Sequence, residues 1–288
     1  MELQEALKSV ANKDTGWTMK DEHFKKKPFN KQVMVIRLTL AALAVLTVYA
    51  FATFDYKDIE LLNAIYSTAL TIKTMFFQPL FKHLTFIEAV QQLTITLGLA
   101  FLTTLFGSVI ALFLSLLAAQ NLSNPKLSIV IKGAVAFIRA VPTVLWVLIF
   151  AVAAGLGSVA AVIGMTFHSI SYLVKAYSES FEELDKGVIE ALKASGANWW
   201  QIVFQAVLPS SVSYLISWTF MRFEINFAVA VAMGAAAGAG GIGYDMFMAS
   251  SYYYDVREIG AITYLILAFA IALELLAARI KKKLRVHG

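Results

Sequence analysis

Three groups of residues in this 288-residue chain have types and spacings that chemistry uses. Gly238, Gly240 and Gly243 spell G-x-G-x-x-G within "GAAAGAGGIGYD", the pattern that holds a dinucleotide pyrophosphate at a helix N-terminus. Arg139, Arg222, Glu224 and Asn226 put charges and an amide inside apolar runs, where such groups are costly and mark a pathway or a pair. A polar stretch, "EALKASGANWWQIVFQAVLPSS", alternates helix formers with a glycine and ends in proline, a compact knob suited to docking. Two other chemistries are ruled out or unsupported. There is no cysteine, which removes disulfides, thiolate metal sites and thiol nucleophiles, and His23, His83, His168 and His287 lack metal-ligand spacing.

The elements that must position these residues are apolar helices. Hydrophobic residues make up 59% of the chain and charged ones 15%, and the apolar surplus lies in long runs, as membrane spans do. The runs predict six spans, at about 33–54, 89–118, 127–154, 158–177, 211–237 and 259–280. The third is expected to bend at Pro142, where proline removes a helix hydrogen bond. The first begins after a long polar tail and reads as a retained span, not a cleaved leader. The fold class is therefore all-α, a polytopic membrane protein with about six transmembrane helices.

The net charge of +5 is concentrated at the ends. Lys8, Lys13, Lys20, Lys25, Lys26, Lys27 and Lys31 precede the first span, and Arg279, Lys281, Lys282, Lys283 and Arg285 close the last. Basic flanks mark the cytoplasmic side, so both termini are expected there, and nucleic acid is not an expected partner. Residues 1–32 then form a cytoplasmic tail and 281–288 a basic cytoplasmic tail. Loops 55–88 and 238–258 face outward; 120–126 and 179–209 face inward. The outer segment 55–88 is helical in period but too polar to span. It reads as interfacial, with Phe76, Phe77 and Phe81 at the headgroups and membrane lipid as a partner.

This setting decides the glycine motif against a dinucleotide. A Rossmann loop needs a preceding strand and a βαβ unit, and here a membrane helix precedes it. Two readings remain: close helix packing through small residues, or an irregular segment at the mouth of a pathway. Packing explains "GAAAGA". It explains "GGIG", with Gly240 and Gly241 adjacent, poorly, because paired glycines break a helix.

In the polar knob, Glu190, Ala191 and Leu192 start a helix and Gly196 interrupts it. Ile202, Val203, Ala206 and Val207 form an apolar face, and Leu208-Pro209 is expected to end the unit. From the residues alone, it is either a docking knob or an amphipathic connector lying on the membrane. The pattern E-A-x-x-x-x-G, then I, then L-P, at Glu190, Ala191, Gly196, Ile202, Leu208 and Pro209, resembles the coupling loop of ABC importer permeases, with Leu192 where a second alanine is common. With "AAQNLSNP", "MRFEINFAVAVAMG" and "GAGGIG", the chain from the second span onward is similar to phosphonate-type ABC importer permeases, although no basic residue follows Asn226 closely as it often does there.

The resemblance implies a type I ABC importer permease fold with an ABC permease core at 89–280. It also implies a homodimer, two cytoplasmic ABC ATPase subunits and an extracytoplasmic substrate-binding protein in the bacterial inner membrane. The chain lacks G-x-x-x-x-G-K-[ST], so no ATP hydrolysis is expected in it; ATP and Mg are used by the ATPase partner, and no cofactor is expected here. The expected cargo is phosphonate, phosphate or phosphite. Another solute, such as a vitamin precursor, methionine or a metal chelate, is the alternative. An integral membrane enzyme would need a His, Asp or Glu cluster that is not seen.

Among the buried charges, Lys175 and Glu179 read as snorkelling side chains. Arg139 stands three residues before the Pro142 bend and, with Arg222, Asn226 and the glycines Gly238, Gly240, Gly241 and Gly243, is assigned to the substrate pathway. Glu224, which would repel an anion, is assigned to holding Arg222 or Arg139. His168 reads as a packed span histidine.

Overall fold

The computed structural model describes residues 31–54 and 60–286, with side chains through residue 279. The chain divides into two units, residues 1–61 and 62–288. Residues 1–30 of the expected tail 1–32, residues 55–59 of the outer segment, and the last two residues lie outside the described residues.

In the first unit, α1 (Lys31–Thr53) is one 23-residue apolar helix. At 1.5 Å per residue it reaches about 35 Å, enough to cross a bilayer core. Its hydroxyls are satisfied within the helix: Thr39, Thr47 and Thr53 donate to the carbonyls of Val35, Leu43 and Tyr49. Hydrocarbon offers no other partner.

The second unit holds α2 (Leu61–Phe77), α3 (Phe86–Ala118), α4 (Pro125–Ala140), α5 (Thr143–Ala154), α6 (Ser158–Glu182), α7 (Lys186–Ala194), α8 (Trp199–Ile202), α9 (Leu208–Ala237), α10 (Ile242–Ser251) and α11 (Val256–Val286). No strand occurs among the described residues. Among the described residues five helices are long and apolar enough to cross a membrane, and α4 with α5 makes a sixth if counted as one span bent by 91°. The bend falls at Pro142, as its chemistry predicts, and the Trp146 indole donates to the Ile138 carbonyl across it. The basic segment 281–286 is not a separate tail but continues α11.

Two of the starts have a clear local cause. Thr85 and Glu88 form a capping box at α3, and Asn124 caps α4 ahead of Pro125. Gly107 lets α3 approach α6 at Ser169, and Gly164 lets α6 approach Val147 of α5; an added Cβ would stand 2.8 and 2.6 Å from those neighbours.

The core is two apolar clusters stacked along the bundle. One contains Leu99, Ala100, Met165, Phe227, Ala230, Met233 and Ile242. The other contains Ala111, Leu116, Leu173, Val174, Tyr177, Ile202, Val203 and Val207. On α3, α6 and α9 the change of cluster occurs at one level, and buried polar residues fill it: Thr103, Thr104, Ser169, Arg222 and Asn226. Large side chains such as Phe101, Phe113, Phe137 and Val152 stay exposed around the bundle, a surface suited to lipid.

Candidate functional site: a knob, a polar layer and a glycine hairpin

The knob departs from its expected form at one end. Asp185 caps α7, Asn198 and Gln201 form a capping box at α8, and between them Gly196 takes φ +85°, the left-handed conformation glycine accepts. Leu208-Pro209 does not end the unit. The chain runs through a π-turn, Val203–Val207, into α9, and the Leu208 N–H reaches back to the Val203 carbonyl. Proline lacks the N–H that a helix interior needs but not its first turn, so Pro209 opens α9 behind the wider turn. Ile202, Val203, Ala206 and Val207 are all buried, anchoring the knob to the bundle. The Trp199 indole adds a bond to the Leu122 carbonyl at 2.9 Å. Glu190, Ala191, Gly196 and Pro209 remain exposed, and Leu208 is half-buried.

The polar layer is a connected network. Arg222, 2% exposed, donates through Nε to Ser169 Oγ at 3.1 Å and through Nη2 to His168 Nδ1 at 3.1 Å. Its guanidinium lies 5.2 Å over the Tyr172 ring. Asn226 donates to Thr104 Oγ1 at 2.8 Å and to Ser169 Oγ at 3.0 Å, joining α9 to α3 and α6. His168, expected to be a packed histidine, is instead an acceptor for a buried arginine. Sequence reading also missed Ser169 and Thr104, because no local pattern links positions so far apart.

Within this chain Glu224 holds neither arginine. It is exposed, and no ion pair among the described residues joins it to Arg222 or Arg139. The reason is helical phase. Two residues on a helix stand about 200° apart, so burying Arg222 turns Glu224 outward. Arg139 is half-buried at the end of α4. Lys175 and Glu179 sit 3.7 Å apart, both more than half exposed.

At the far end the glycines build a hairpin between α9 and α10. Gly238 caps α9 at φ +60°, and Gly240 and Gly241 have φ +77° and +74°. The Ile242 N–H donates to Thr96 Oγ1 at 3.0 Å. A Cβ on Gly241 would collide with that hydroxyl, and one on Gly243 with the Val231 carbonyl. The dihedral and packing readings therefore both apply, at neighbouring positions. Beside the hairpin, Glu258 accepts from the backbone N–H of His83 and Leu84, each at 2.9 Å, and meets His83 Nδ1 at 2.7 Å. His83 stacks on Tyr253 at 4.0 Å, and Asp245 joins these residues around a cavity of about 160 Å³.

Comparison with known proteins shows the family and the fold. Residues 111–286 match the family model described as binding-protein-dependent transport system inner membrane component. The chain is 32% identical over 191 residues to the phosphate-import permease protein PhnE of Mycolicibacterium smegmatis, covering 66% of this chain and 35% of that protein. It thus spans about a third of that relative's length. It is 29% identical over 194 residues to the phosphite transport system permease protein PtxC of Stutzerimonas stutzeri, covering 67% and 70%. Among solved structures, the inward-facing MetNI methionine ABC transporter aligns with TM-score 0.62 at 24% identity, over 68% of this chain and 95% of that one. The chain belongs to the family of binding-protein-dependent transport system inner membrane components and has the fold of an ABC importer permease.

Proposed function

We propose that the protein carries a phosphorus oxyanion (phosphonate, phosphate or phosphite) from an extracytoplasmic binding protein into the cytoplasm by alternating access, with ATP and Mg used by a separate ATPase. The observation that carries the coupling is the exposure of Glu190, Ala191 and Gly196 on a unit whose Ile202, Val203 and Val207 are fixed in the bundle. Force applied to the exposed half moves α9 as a rigid continuation, since α8, the π-turn and α9 are unbroken. Similarity to phosphate-import and phosphite permeases supports the oxyanion.

The face of α9 bearing Glu224, Ala228 and Ala232 is exposed. A carboxylate inside a span does not face lipid, and small residues permit close approach, so this face meets a second copy of the chain or the pathway. The glycine hairpin forms the outer mouth, and both termini lie in the cytoplasm. Uptake into proteoliposomes holding permease, ATPase and binding protein tests the reading. Phosphate, methylphosphonate or phosphite is expected to accumulate with ATP; accumulation of methionine instead overturns the assigned solute.

A further inference from the structure

We propose that Arg222, His168 and Arg139 form an anion station inside the permease, where a tetrahedral oxyanion rests during passage. The inference deepens the import reading and rests on it for the class of anion.

The station stands on an imbalance of charge. Arg222 is buried to 2% exposure, and its hydrogen-bond partners are a hydroxyl and an imidazole. No carboxylate pairs with Arg222 or Arg139 among the described residues. A buried cation without a counter-charge is expensive, and an arriving anion offsets that cost.

Two contacts through Trp146 link the end of α4, where Arg139 stands, to the segment of α6 that carries His168. The Trp146 indole donates to the carbonyl of Ile138, next to Arg139, and packs edge-on at 4.7 Å against Phe167, next to His168. Arginine has no acceptor, so His168 Nδ1 must accept, which leaves Nε2–H as a donor on a half-buried side chain. Two further hydroxyls of this level, Thr103 and Thr166 Oγ1, are buried without a partner. Guanidinium forks and an imidazole N–H suit the several acceptor oxygens of phosphate or phosphonate.

Depth separates a dissolved anion from a lipid headgroup. Arg222 stands well inside the 30-residue α9. Counting from Leu208, it lies about 21 Å along the axis, near mid-span and out of headgroup reach.

The test uses permease and ATPase together in lipid nanodiscs, without the binding protein, and measures radiolabelled inorganic phosphate at equilibrium. Saturable binding is expected, displaced by methylphosphonate and not by methionine. Arg222→Gln and Arg139→Gln should each weaken it about tenfold or more, as loss of a charge-assisted contact does, and Arg222→Lys should weaken it less. Arg139 is half-buried, so its variant remains informative if Arg222→Gln fails to assemble. Absence of saturable binding, or undiminished binding in Arg139→Gln, overturns the station. So does competition by anionic lipid, or binding that appears only in Glu224→Gln, which would assign the counter-charge to a second copy. Uptake with the binding protein is scored separately. Phosphate uptake without nanodisc binding removes the station and keeps the import reading. Binding without any oxyanion uptake keeps the station and removes that reading.

Discussion

Asn226 Nδ2 lies 2.8 Å from Thr104 Oγ1, and both residues are nearly or fully sealed from solvent. One amide thereby ties α9 to α3, and its second bond, to Ser169, brings in α6. The sequence places Asn226 in the pathway, yet its donors are used inside the chain. Asn226→Ala should leave buried hydroxyls at Thr104 and Ser169 without this partner, at a cost of about 1–3 kcal/mol. A thermal melt of the solubilised permease that matches wild type would contradict this role.

The hairpin glycines divide by mechanism. Gly240 has a positive φ but open space, Gly243 has no space but an ordinary φ, and Gly241 has both constraints. Gly240→Ala should cost about 1 kcal/mol. Gly241→Ala should cost more, about 2–4 kcal/mol, because it also displaces Thr96 from the Ile242 N–H. Equal melting temperatures for the two variants would sink the distinction. Gly241→Leu should in addition block uptake while leaving the ATPase bound.

Legibility followed the range of the physics. Pro142 and Gly196 act on their own backbone, so the 91° bend and the left-handed turn were readable from residue type. Pro209 departs from expectation because proline both stops and starts helices, and only the π-turn before it shows which. Helical phase alone separates Glu224 from Arg222 by about 200°, so the two cannot pair within one copy. The polar layer was unreadable for another reason. Thr104, Ser169 and Asn226 meet only after three helices pack in register, and each alone looks like an ordinary polar residue in a span.

The coupling assignment predicts a separation of folding from function. Gly196 has φ +85° with nothing within 4 Å of a Cβ, in an exposed turn. Gly196→Val forces a β-branched residue into left-handed space at about 1–3 kcal/mol, which reshapes the turn without disturbing the buried anchors. Glu190→Lys reverses the charge of an exposed residue. Both variants should purify folded but show severalfold lower ATPase stimulation by loaded binding protein. Full stimulation in both would leave the knob a mere connector.

Asp245 gives a prediction in pH. Burial, with the charges of Glu258 and Glu88 adding, raises its carboxyl from 3.8 to about 6, and Oδ2 is buried without a partner. The folded state therefore favours the protonated form. That contribution is complete below the unfolded value of about 4, declines as pH rises through about 6, and beyond this the ionised group carries its full cost. Asp245→Asn keeps the shape and removes the charge. Because the carboxyl is only partly buried, the relief is screened to about 1 kcal/mol, a rise of about 2–4 °C in melting temperature at pH 8. The gain should hold down to about pH 6 and shrink below it, toward pH 5. Melts of the wild type and variant across that range decide the matter: a gain independent of pH, or a loss at pH 8, would show that Asp245 is held ionised by a partner this chain does not supply.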